Sequence, residues 1–167
     1  TMGVTDASGF DIVVGSGSTL NVFSDAVLNV NSIQVNGGTL NTSIALSFPV
    51  GSDFQMTGSG KVNVLNGRVF SIGSFAASNM ISGTFNLPSG SRLDIASDAA
   101  TIGNGVTLIK DGDFGPSNGI GNLTIQSGGV ETHSLRLVAG LVLDVAGTLD
   151  VQAGGLIDVN AKGLRAG

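Results

Sequence analysis

The chain has 167 residues, enough for one domain with a substantial core, and it is 41% hydrophobic, only 11% charged and rich in Gly (27 residues). It has no Cys, which excludes disulfides and thiolate metal sites. A net charge of −5, with the Lys and Arg residues scattered, leaves no footprint for nucleic acid, and no apolar run is long enough to span a membrane. The acids are eleven Asp and a single Glu, Glu131. Glu and Lys build exposed helix faces, and both are scarce, so strands and turns are expected throughout.

Residues 1–16 contain Phe10 and Ile12-Val13-Val14 and read as an N-terminal strand or cap. The opening Thr1-Met2-Gly3 carries no charged and apolar leader pattern, so no signal peptide is expected there. A Met behind a Thr suggests an internal piece of a longer protein.

From Gly17 onward one phrase recurs: GSTLNV at 17, GGTLNT at 37, GKVNV at 60, GTFNL at 83, GVTLI at 105, GGVETH at 128 and GTLDV at 147. Each holds an apolar–polar–apolar triplet, which puts two side chains on one face of a strand and one on the other. The middle residues are Asn21, Asn41, Asn63, Asn86, Thr107, Glu131 and Asp150, separated by 20, 22, 23, 21, 24 and 19 residues. Such a period marks a solenoid, in which one coil cannot bury its apolar face alone and stacked coils share a core.

Second triplets follow in most units, such as Phe70-Ser71-Ile72, Leu93-Asp94-Ile95 and Leu143-Asp144-Val145. The pattern predicts an all-β, single-domain parallel β-helix over residues 17–167, with about seven coils of 19–24 residues. Inward positions include Leu20, Leu40, Val62, Phe85, Leu108, Val130, Leu149 and Val151. The middle residues, Glu131 among them, face out. The Gly-, Asp- and Pro-rich stretch 109–121 reads as an inserted loop. An antiparallel β-sandwich is the competing fold, since Asn36-Gly37-Gly38 and Asn66-Gly67 are hairpin-like signals.

The units GGTLNT, GTLDVQAGG and GLIDVNAKG resemble the degenerate repeats of large bacterial surface proteins. These are the filamentous-haemagglutinin-like adhesins and autotransporter passenger domains. The resemblance covers about residues 17–163. It implies a right-handed parallel β-helix, an extracellular or cell-surface setting and an adhesive or scaffold role. It assigns a function to no single residue.

Several constellations carry possible chemistry. Asn21, Asn41, Asn63 and Asn86 form an outer-face ladder, read either as solvated strand polarity or as a flat recognition face. An ice-binding face would need regular Thr columns, and the triplets show none. Asp94, Asp144, Asp150 and Asp158 occupy polar slots, as a polysaccharide-cleaving β-helix would require of paired carboxylates. The basic residues that would join them are dispersed, and the absence of Trp and Tyr counts against a sugar-stacking platform. Asp111 and Asp113, near Asn118, resemble a fragment of a calcium loop but offer few of the six to eight oxygens required. His133 alternates with Glu131, so both should point the same way. With no second His, an exposed strand pair is expected.

The sequence thus favours a non-enzymatic structural or adhesive segment of a larger secreted or surface protein, with no cofactor. A β-helical carbohydrate-active enzyme or carbohydrate-binding domain and a self-associating fibre subunit are the competing functions. Contacts with other protein are expected at the coil ends, where strand edges are unpaired.

Overall fold

The computed structural model describes residues 7–22, 30–42, 46–47, 53–115 and 119–162. Thr1, Met2, Gly3, Asn118 and residues 163–167, named in part above, lie outside the described residues. The described chain forms strands without helix, and its ladders are all parallel. Parallel neighbours separated by one coil of sequence make a β-solenoid of about six turns, and the antiparallel sandwich is not favoured.

Three walls enclose the core. The first is a seven-stranded sheet of β2 (Thr19–Val22), β4 (Thr39–Thr42), β7 (Gly60–Val64), β9 (Gly83–Leu87), β12 (Val106–Lys110), β15 (Val130–Thr132) and β17 (Leu156–Asp158). The second stacks β5 (Leu46–Ser47), β8 (Val69–Ile72), β10 (Arg92–Ile95) and β13 (Asp113–Phe114). The third begins with β1 (Ala7–Val14), β3 (Val30–Asn36) and β6 (Asp53–Thr57) and resumes with β11 (Ala99–Ile102), β14 (Asn122–Ile125) and β16 (Leu149–Val151). Between those halves, residues 73–80 detour, tied back by the bridges Met56–Met80 and Phe75–Ala100. Asn79 holds the detour: its Nδ2 donates to the Ser74 carbonyl (2.9 Å) and its Oδ1 accepts from the Ala76 N–H (2.9 Å).

Seven strands in the first wall bound six turns, which accounts for the difference from the seven coils expected. β1 pairs with β3 and so belongs to the third wall of the solenoid. Within 109–121, Ile109 and Lys110 end β12, Asp113–Phe114 form β13, and Ile120 bridges to Val145. The widest departure from strand lies later, in residues 133–148.

The expected register is overturned in three places, the first at Thr107, which pairs with Thr84 while Ile109 pairs with Asn86. Leu149 pairs with Leu123, so GTLDV stands in the third wall, and the rung above Glu131 is Ile157. Glu131 itself pairs with inward-facing Leu108, which places Glu131 in the core and turns Val130 outward. The doublet Gly128-Gly129 offers two places to turn the corner, and a slip of one residue exchanges the faces of a strand.

The core is built from the inward columns. Leu40, Val62, Phe85 and Leu108 are fully buried in the first wall. Phe54, Phe70 and Phe85, one from each wall, meet edge to face at 5.2 and 5.4 Å between centroids, and Phe75 adds a third such contact at 5.6 Å. Edge-to-face contact suits the ring quadrupoles and adds to the area buried. The corner between third and first walls is tight enough to demand glycine. Gly128 has φ 77°, and a Cβ there would run into the Asn104 side chain.

Candidate functional site

The outer face of the first wall is a regular polar array. Register aligns Asn21, Asn41, Asn63 and Asn86 on successive strands, which in a sheet lie about 4.8 Å apart. Asn41 Nδ2 donates to Asn21 Oδ1 (2.8 Å), and Asn63 Nδ2 donates to Asn41 Oδ1 (2.7 Å). Two residues earlier runs the column Thr19, Thr39, Lys61, Thr84 and Thr107. A Thr column therefore exists, contrary to expectation, and Lys61 interrupts it. The triplets conceal it because Thr19, Thr39 and Thr84 lie outside their triplets, at the leading edge, whereas the triplet spacing puts Thr107 in line with the Asn row.

The third wall carries a second amide pairing, in which Gln34 Nε2 donates to Gln55 Oε1. Beside it, Asp11 accepts from Asn31 Nδ2 (2.7 Å) and Ser32 Oγ (2.6 Å), which holds its carboxyl below the usual range. A polar cleft of about 560 Å³ opens there, with Asp11, Ser32, Gln34, Gln55 and Asn79 in its lining.

The four carboxylates in triplet slots are not gathered. Asp94 lies on the second wall in a two-point pair with Arg92 (2.7 and 2.9 Å). Asp150 lies on the third wall and accepts from Gln152 (3.0 Å), and Asp158 ends β17 on the first wall. Asp144 lies in the segment before β16, beside a cleft of about 420 Å³ whose lining includes Lys110, Asp111 and Asp113.

Asp111 and Asp113 thus face a lysine. Asp111 Oδ1 accepts from the Ser134 N–H (2.8 Å), which fastens the irregular segment to the corner below. Among the described residues, no group of three or more His, Asp or Glu comes together to hold a metal. The positive charge beside both aspartates is that of Lys110.

Lys110 and Glu131 form the most unusual pair, both buried, and His133 two residues on is buried as well. Lys110 pairs with Leu87 and so points inward. Its Nζ donates to the carbonyls of Gly112 (2.9 Å) and Val142 (2.8 Å) and lies 5.0 Å from the centre of the Phe114 ring. Burial pulls its pKa down, against the charges of Glu131, Asp113 and Asp111. Glu131 is fully buried, and neither of its oxygens has a hydrogen-bond partner among the described residues. Burial pushes its carboxyl up to about 7, with Lys110 pulling the other way. His133 Nδ1 donates to the Ser134 carbonyl (2.8 Å). Glu131 and His133 are both buried, as is Thr132 between them, so the expected exposed pair is overturned. A glutamate in a slot filled by Phe85 and Leu108 in earlier coils was the available signal, once the corner is set at Gly129.

Both ends of the solenoid are apolar. Leu149, Val151, Leu156 and Val159 are about half exposed in the last coil, and Phe10 and Val13 are more exposed at the first. Leu149 and Val151 continue the columns of Leu123 and Ile125. Among the described residues, no helix is long and apolar enough to cross a membrane. No protein-family model, curated protein or solved structure matches the chain.

Proposed function

We propose that the chain is a non-enzymatic structural and adhesive β-solenoid segment of a larger secreted or cell-surface bacterial protein, joined to further β-structure through its coil ends. One observation carries this reading: inward columns that are closed along the sides stop at half-exposed Leu149 and Val151, with the edge strands β16 and β17 beside them. Side strands already pair above and below. Terminal strands offer free N–H and C=O groups, which recruit another strand unless covered. The occupant is a further β-coil, whether from the parent chain or from another copy.

The adhesive part of the reading rests on the Thr and Asn columns. Their hydrogen-bonded amides form a flat, nearly uncharged face with a fixed repeat, suited to a partner that is itself repetitive. The scattered carboxylates give the carbohydrate-active enzyme no comparable support.

Sedimentation across a concentration series tests the role of the ends. The chain should grow in mass with concentration, and Val151→Lys should hold it monomeric. A strict monomer at every concentration would overturn the reading.

A further inference from the structure

The interior changes character at its last coils. In the first wall, the inward slots of β7 and β9 hold Val62, Val64, Phe85 and Leu87. The equivalent slots of the next coil hold Leu108 and Lys110, and Glu131 follows on Leu108 in the coil after that, with buried His133 just past the strand end. Glu131 has Leu108 below it and Ile157 above it in register. An ionised carboxylate in that position gives up its hydration and gains no hydrogen bond in return. The protonated carboxyl, which carries no charge, fits the slot far better.

The cover over this interior is thin. The second wall ends at β13, and in the next coil residues 133–146 cross as an irregular segment. Lys110 Nζ to the Val142 carbonyl, the Ser134 N–H to Asp111 and the Arg136 N–H to the Lys162 carbonyl (2.8 Å) hold most of that segment, and the Ile120 N–H to the Asp144 carbonyl (3.0 Å) and the Ala146 N–H to the Ile120 carbonyl (2.9 Å) fasten its end. Regions with few buried apolar contacts open at low free-energy cost and often as cooperative units.

We propose that Glu131 is a proton-operated latch on the C-terminal coil. When it is protonated, β15, β16, β17 and residues 133–146 close over the end of the core. When it is ionised, the carboxylate draws water into the inward column and these elements loosen together.

The groups around Glu131 set the direction. Lys110 from β12 is the charge that acts on it, and Leu108 and Ile157 meet it with hydrocarbon. His133 is buried two residues beyond Glu131, just past the end of β15, while Asp111 and Asp113 act on Lys110. Lys110 is itself bound to two carbonyls, so it only partly offsets the burial of Glu131. The carboxyl has its ordinary value of 4.5 in the open state and about 7 in the closed state. A raised closed-state value means that closure is complete below about pH 4.5, weakens as pH rises towards about 7, and then levels off.

Amide hydrogen exchange, corrected for the intrinsic rate at each pH, tests the latch in the full chain. Opening of residues 149–158 should rise about tenfold per pH unit between about 4.5 and 7 and plateau above, while residues 60–64 and 83–87 stay level. Glu131→Gln, which cannot ionise, should flatten that profile, and Glu131→Leu serves if the amide disturbs folding. Lys110→Met should move the plateau to higher pH by removing the opposing charge. A wild-type profile without the rise, or one that survives both Glu131 variants, would overturn the latch. So would a profile flattened by His133→Gln, because the histidine would then be the sensor.

Discussion

Glu131 stands directly on Leu108, as Cα partners in a parallel ladder, and the two occupy successive rungs of one inward column. Parallel in-register stacking leaves the upper residue no choice of face. Whatever follows Gly129 by two positions enters the core, and here it is the only glutamate of the chain.

Replacing Glu131 by Leu should therefore stabilise the protein at alkaline pH and change little in acid. The folded value of about 7 against 4.5 corresponds to about 3 kcal/mol above pH 7, and the difference vanishes below about pH 4.5. Urea unfolding midpoints at pH 4 and pH 8 measure it. A gain of equal size at both pH values would contradict the account.

Phe85 packs edge to face with both Phe70 and Phe75 and is fully buried. Phe85→Ala should cost about 3–5 kcal/mol, because the three walls cannot collapse into the space without breaking register. Thermal or urea unfolding checks this, and a loss below about 1 kcal/mol would show that the aromatic stack is not central to the core.

Asn41 both donates and accepts within the ladder, whereas Asn21 only accepts. Asn41→Ala should cost more than Asn21→Ala, by about the net worth of one hydrogen bond, roughly 1 kcal/mol. Equal losses would mean that water replaces the lost ladder bonds.

Leu123 and Leu149 share a column, but Leu123 is fully buried and Leu149 is half exposed. Leu123→Asp should unfold the domain, since a buried unpaired charge costs several kcal/mol. Leu149→Asp should leave the fold nearly as stable and reduce self-association. Circular dichroism melts and sedimentation separate the two effects.

The solenoid was legible because each coil repeats Gly, a polar residue and an alternating triplet at nearly constant spacing. Asn21, Asn41, Asn63 and Asn86 fell into one row for the same reason. The reading lost its place where the chain breaks its own rule. Residues 133–148 lengthen the last coil, so Asp150 imitated the next first-wall rung at a plausible spacing while Ile157 held the position. Gly128-Gly129 hid Glu131 by permitting either face. Lys110 was equally hidden, since a lysine ending a strand ordinarily reaches water, and only the cover provided by residues 133–146 makes it an interior group.

The amide ladder gives the molecule a direction. Both ladder bonds point towards the β2 end, from Asn63 to Asn41 and from Asn41 to Asn21, and the strands of the first wall all run the same way. Two copies joined head to tail would continue the shared strand direction. Two copies related by a twofold axis would set their edge strands antiparallel and oppose like ends of the ladder. Head-to-tail contact leaves a fresh end after every addition, so it produces an open filament of growing length, whereas a symmetric contact stops at a pair.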